Sequence, residues 1–182
     1  MRVAASVDGV PVTVADIDAR EARLRASHIT ASLPRPGTSE GRQLRRWLTQ
    51  LLVAERVVAA EAADRALTAD NAPAEADLLP NNTVRLELGS VASSVLADPL
   101  ARALFVDVTA GVDVSAAAVA SYRSRNPLRY NSDAEIIADL LGAARRRAFR
   151  LWLDARCAVV VQLAPGYEHP ADPRQPDNTH RH

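Results

Sequence analysis

The sequence contains no lysine: its 22 basic residues are all arginine, so Schiff-base chemistry is excluded. One cysteine, Cys157, cannot make an internal disulfide, and its neighbours Ala158, Val159 and Val160 mark it as a small buried hydrophobe rather than a nucleophile. The 7 glycines are not grouped into a phosphate cradle or a dinucleotide fingerprint, and there is no nucleophile elbow, so no nucleotide cofactor is expected. No window approaches the roughly 20 apolar residues of a membrane span. The opening MRVAASVDG carries no apolar run long enough for a secretion signal, and a cytoplasmic location is expected. The 22 acidic residues balance the 22 basic ones, and no basic run is interleaved with aromatics, so neither nucleic acid nor a membrane is an expected partner. His180 and His182 lack a third ligand at a characteristic spacing, and no metal site is expected.

What is present suffices for a core, since 48% of the 182 residues are hydrophobic. Residues 2–7 and 10–14 are β-prone runs split by Asp8-Gly9, a hairpin signal. Thr13 and Asp16 form a capping box, and Ile17, Glu21, Leu24 and His28 extend a first helix to about His28. Two prolines and two glycines predict a loop over 31–41. A long helix follows over 42–67, with Leu44, Trp47, Leu48, Leu51, Glu55, Val58 and Ala62 inward. After a proline-containing break at 71–82, Val84, Leu88, Val91 and Val95 predict one helix over 83–97, and Asp98-Pro99 starts another. Ser115 can cap a short helix through Tyr122. Ser132 and Glu135 predict a second capping box, opening a long helix with Ile137, Leu140, Ala144, Ala148, Leu151 and Ala155 inward. Arg145, Arg146, Arg147 and Arg150 would then form a solvated face. CAVVVQL (157–163) reads as a strand, the partner in sequence for the N-terminal hairpin. The expected fold is mainly α with a small β-sheet formed by the N- and C-terminal strands. It occupies a single domain over 1–163, and the Pro/His-rich tail 164–182 is either disordered or folded back as a lid.

Four segments in order carry a family resemblance. VDGVPVTVADIDAREARL, RRWLTQLLVAERVVAAEAADRAL with its Glu55-Arg56 pair, VDVSAAAVASYRSRNPLRY, and DLLGAARRRAFRLWLDARCAVVVQL together resemble the SurA-type chaperone scaffold of the SurA and PpiC families. The resemblance implies a SurA N-terminal-domain-like helical domain. In those families a parvulin domain follows the position of Tyr130, whereas here only Asn131 and Ser132 separate Tyr130 from the closing helix. With the insert missing near 130–133, prolyl isomerase activity is not implied. The tail EHPADPRQPDNTHRH is similar to that of short actinobacterial proteins from aromatic polyketide gene clusters. That likeness implies a dehydratase or cyclase, including enzymes that close ketal-bridged rings, in antibiotic biosynthesis.

Cofactor-free dehydration or cyclisation needs an apolar pocket, a proton donor for the leaving hydroxyl and a base. His28, His169 and Asp154 are the candidate acid and base groups, histidine because its unperturbed pKa lies nearest neutrality. Each has a plainer reading: His28 as a helix-terminal residue complementing the dipole, Asp154 as the surface partner of Arg150, and His169 as part of a mobile tail. Trp47 and Trp152 are candidates to stack on a flat substrate or simply to fill the core. Tyr122 and Tyr130, flanking the truncated junction, could orient a carbonyl or phenoxide or close the gap; Arg150 and Tyr167 complete the candidate binding set. Two functions follow: an acid–base enzyme acting on an aromatic polyketide, or a chaperone-like module holding a peptide or protein, with a homodimer an allowed assembly. A structural subunit of a synthase complex is a third.

Overall fold

A computed structural model describes residues 2–28, 30–170 and 172. His180, His182 and most of the tail beyond Pro170 lie outside the described residues. The chain is mainly helical, with one three-stranded antiparallel sheet. It forms two compact units, one of residues up to Ala60 and from Arg156 onward, the other Glu61–Ala155.

In the first unit, β1 (Val3–Val7) and β2 (Val10–Thr13) form a hairpin with Val7 opposite Val10. Asp8 and Gly9 have φ of 47° and 79°, as a two-residue hairpin turn that follows the strand twist requires. β3 (Val161–Leu163) pairs antiparallel with β1, giving the order β2-β1-β3, so the N- and C-terminal strands share one sheet. Bonds from the Asp8 N–H to the Val160 carbonyl and from the Ala164 N–H to the Ala4 carbonyl, each 2.9 Å, extend that pairing at both ends.

Helix α1 (Val14–Arg25) opens on the expected capping box: the Thr13 N–H donates to Asp16 Oδ2 at 2.8 Å, and the Asp16 N–H to Thr13 Oγ1 at 3.1 Å. It ends three residues before His28. The hydroxyls of Ser27 and Thr30 take the carbonyls of Leu24 and Arg25 and so compete with a further turn. Helix α2 (Ser39–Asp64) begins earlier than the loop signals predict, because Thr38 Oγ1 accepts the Gly41 N–H at 3.1 Å. Gly41 is required there: a Cβ would sit 2.4 Å from the Arg35 carbonyl oxygen.

α1 and α2 are joined by charge as well as by packing. Arg20 pairs with Glu55 at 2.7 Å, while Arg56 reaches Asp16 at 3.0 Å and the Pro11 carbonyl. Glu21, nearly buried, accepts from Arg25 and Arg45, each at 2.7 Å. Burial pushes the Glu21 carboxyl up, but hydrogen bonds from the two guanidinium groups outweigh it and hold it below the usual range. Beneath these pairs Ala4, Ile17 and Leu48 form a closed apolar cluster, against which Val14, Leu24, Leu44, Trp47, Leu52 and Tyr167 pack.

The second unit contains α3 (Glu75–Leu78), α4 (Asn82–Leu88), α5 (Ser90–Val95), α6 (Pro99–Val108) and α7 (Ala116–Arg125). It also holds most of α8 (Asp133–Val160), whose end belongs to the first unit. Asp98 and Ser115 cap α6 and α7 as their positions predict. The single helix expected over 83–97 is two, because Gly89 takes φ of 97° between α4 and α5. Arg102 ties the connections together, donating to the carbonyls of Pro73, Leu96 and Ala97.

α8 departs from its expected orientation. Ile136, Phe149 and Leu153 are its buried residues, whereas Ile137 is 42% exposed and Leu151 56% exposed. Ile136 is buried one residue before the expected Ile137, and Phe149 and Leu153 one and two residues after the expected Ala148 and Leu151, so the buried side is not the stripe read in the sequence, and Arg145 and Arg146 are half-buried. Phe149 sets this phase: its ring lies 5.2 Å from that of Phe105 and 5.9 Å from that of Trp152. Helix also continues through Cys157–Val160, so the closing strand is limited to three residues.

Candidate functional site

The sequence-derived candidates fall in several places. His28 is exposed in the turn after α1, and His169 is exposed beyond β3. Asp154 faces Arg150 at 3.8 Å, with both side chains more than half exposed, which is the geometry of a surface i,i+4 pair. Trp47 and Tyr167 meet at the apolar cluster of the first unit. Tyr167 is fixed there through its backbone: Arg46 Nε donates to the Gly166 carbonyl at 3.1 Å and Gln50 Nε2 to the Tyr167 carbonyl at 3.2 Å. The start of the tail is thus ordered against α2. Trp152 stacks on Phe149 in the second unit, with the Arg65 guanidinium 6.0 Å from its ring centre.

Tyr122 and Tyr130 are brought together, their rings 5.8 Å apart, across the junction between α7 and α8. The Tyr130 hydroxyl donates to Asp139 Oδ2 at 2.5 Å. That hydrogen bond to a carboxylate pushes the Tyr130 phenol up to about 12, because ionisation would place two negative charges face to face. Its raised value favours the fold below the ordinary tyrosine range, and this contribution disappears as pH rises through about 12. A spectrophotometric titration should therefore find one of the 3 tyrosines ionising near 12, and Asp139→Ala should return it towards 10. An unchanged titration in that variant would mean that the bond is not formed in solution.

One cleft of the second unit combines charge with an apolar wall. It has a volume of about 410 Å³ and lies between α4 and α8, lined by Glu87, Leu88, Ala143, Arg146, Arg147, Arg150 and Leu151. Arg150 was a candidate from the sequence. Glu87, Arg146 and Arg147 were not, the arginines having been assigned to a solvated face. The cluster in the sequence could have signalled an anion site, but only the packing of α4 adds the carboxylate and Leu88. Glu87 and Arg147 make no ion pair among the described residues. A broader depression of about 520 Å³ runs along Leu67, Pro73, Ala103 and Val106. Its carboxylates are already engaged, Asp70 by Thr68 Oγ1 and Asp107 by Arg65.

The cleft can hold a ligand that is flat and apolar over part of its surface and anionic at its edge. Guanidinium groups stay protonated at all ordinary pH, so the three arginines can stabilise an enolate, phenolate or carboxylate but cannot act as acids. Glu87 is the proton acceptor of the set. No cluster of three His, Cys, Asp or Glu side chains among the described residues is arranged to hold a metal, and no described helix is long and apolar enough to cross a membrane.

Residues 3–40 match a family described as a family of unknown function, DUF7158. The matched stretch spans β1, β2, α1 and the first residues of α2, and contains none of the cleft residues. No curated protein and no solved structure matches the chain significantly.

Proposed function

We propose that this chain is a cofactor-independent dehydratase or cyclase acting on an aromatic polyketide intermediate in the bacterial cytoplasm, and that the arginine-lined cleft of the second unit is its site. The observation that carries this reading is the convergence of one carboxylate, three guanidinium groups and two leucines in a cleft of about 410 Å³. Glu87 removes a proton from the carbon next to a ketone. The electron pair moves onto the carbonyl oxygen, and the arginines stabilise the enolate. Collapse of the enolate expels the β-hydroxyl, which leaves as water on taking back the proton that Glu87 accepted; closure of the enolate onto a second carbonyl, whose oxygen takes that proton, would give a cyclised product instead. Leu88 and Leu151 contact the ring face. The tail resemblance supports the substrate class, and the mixed apolar and cationic lining suits a ring system bearing phenolates. His28 and His169 line no part of this cleft.

The alternative, a non-catalytic chaperone-like module on a SurA-like scaffold, is favoured by exposed apolar side chains: Leu128 is 99% exposed, and Leu86, beside Glu87, is 82% exposed. Incubation with a polycyclic β-hydroxyketone, followed by absorbance and mass, separates the two. Loss of one water or ring closure at least about tenfold faster than in buffer is the expected result, since positioned acid–base groups commonly supply more than that. Binding of an unfolded peptide with no change in the polyketide would replace the enzyme by the binding module.

A further inference from the structure

We infer that Gly142 is a positioning residue that seats the Arg146 guanidinium as the fixed anion anchor of the cleft, for a carboxylate or phenolate on a planar ring system; the inference rests on the cleft being the site proposed above. Gly142 is the single glycine of the 28-residue helix α8, in an interior where alanine is the better helix former. Its backbone does not require glycine, since it is absent from the positive-φ positions. Nor does a neighbouring helix press on it. The nearest atoms to a Cβ built at this position all belong to Arg146: Nη1 at 3.1 Å, Cζ at 3.8 Å and Nη2 at 3.9 Å. Helical side chains lean towards the N-terminus, so a residue at i+4 covers position i, and here the guanidinium occupies the space a methyl group would take.

The same Nη1 donates to the Leu78 carbonyl at 3.3 Å, the long end of a hydrogen bond. Arg146 is therefore held between Gly142 and the end of α3. The other two arginines of the cleft are not held in this way: Arg147 is exposed without an ion pair among the described residues, and Arg150 has only its 3.8 Å contact with the exposed Asp154. A guanidinium already in place binds an oxyanion without first ordering a flexible side chain. Leu78 is the one acceptor that Arg146 meets among the described residues, which leaves its remaining N–H groups for a ligand.

A methyl group at 142 would force Nη1 outward by a few tenths of an ångström, moving the anchor while favouring the helix. The test uses the full-length chain, with 2-naphthoate as probe and its neutral methyl ester as control. Gly142→Ala should keep or raise the thermal midpoint yet weaken naphthoate binding about three- to tenfold, the range of a coupled pair. Arg146→Gln should remove the preference for naphthoate over the ester, and Gly142→Ala should then have no further effect on binding. Wild-type affinity in Gly142→Ala, an equal loss with Arg146 already replaced, or equal binding of acid and ester would each overturn the inference. Polyketide turnover without naphthoate binding would overturn the anchor alone; naphthoate binding without turnover would support the anchor and overturn the reaction.

Discussion

Replacing Phe149 by alanine is expected to destabilise the chain by about 3–5 kcal/mol, the usual cost of emptying a buried aromatic site. Phe149 has no exposed surface, and its ring bridges Phe105 and Trp152 in the second unit. Trp152 is in turn covered by Arg65, itself held by Asp107 at 2.7 Å and Glu61 at 3.3 Å, so collapse into the cavity would disturb an ion-paired rim. A loss of this size is a large fraction of the 5–15 kcal/mol that typically separates folded from unfolded states. Leu151→Ala, two residues along the same helix, should change stability by no more than about 0.5 kcal/mol, because Leu151 is 56% exposed. Urea denaturation of the two variants checks both. A lower midpoint for Leu151→Ala than for Phe149→Ala would mean that α8 is packed in the phase the sequence suggests.

That phase error marks where the sequence stopped being informative. α8 carries one regularly spaced apolar stripe, Ile137, Ala144, Ala148 and Leu151, while the residues it buries, Ile136, Phe149 and Leu153, lie off that stripe. Spacing fixes the period of a helix but not which side meets the core; contact with Phe105, remote in sequence, decides that. Single-residue signals were legible because their chemistry is local: the Asp8-Gly9 turn, and the caps at Thr13, Asp98 and Ser115. The second capping box formed only in part. Ser132 Oγ accepts the Glu135 N–H, but the Glu135 carboxylate takes the Asn131 N–H. Gly89 is the reverse case, because glycine inside an apolar period is compatible with both a continuous helix and a break. Within the cleft, Arg150 was legible as a charged residue on the closing helix. Glu87 was not, since nothing around it in sequence indicates that α4 packs beside α8.

Glu87→Gln is expected to lower kcat by about 10²–10⁴-fold, the usual contribution of a positioned general base, while leaving the fold intact. Glutamine preserves shape and loses the proton acceptor, and Glu87 is exposed and without an ion pair among the described residues, so stability has little to lose. Binding should move the other way. Glu87 is the one negative charge among the arginines lining the cleft, and removing it leaves three guanidinium groups unopposed. Anionic ligands should then bind at least as tightly as before. A fall in kcat with KM unchanged or reduced is the signature of an interaction made in the transition state rather than in the ground state. Steady-state kinetics of the two proteins on the same substrate provides the measurement. If KM falls and kcat stays at the wild-type value, Glu87 only tempers the charge of the cleft, no other base among the described residues lines it, and the reaction proposed there is overturned.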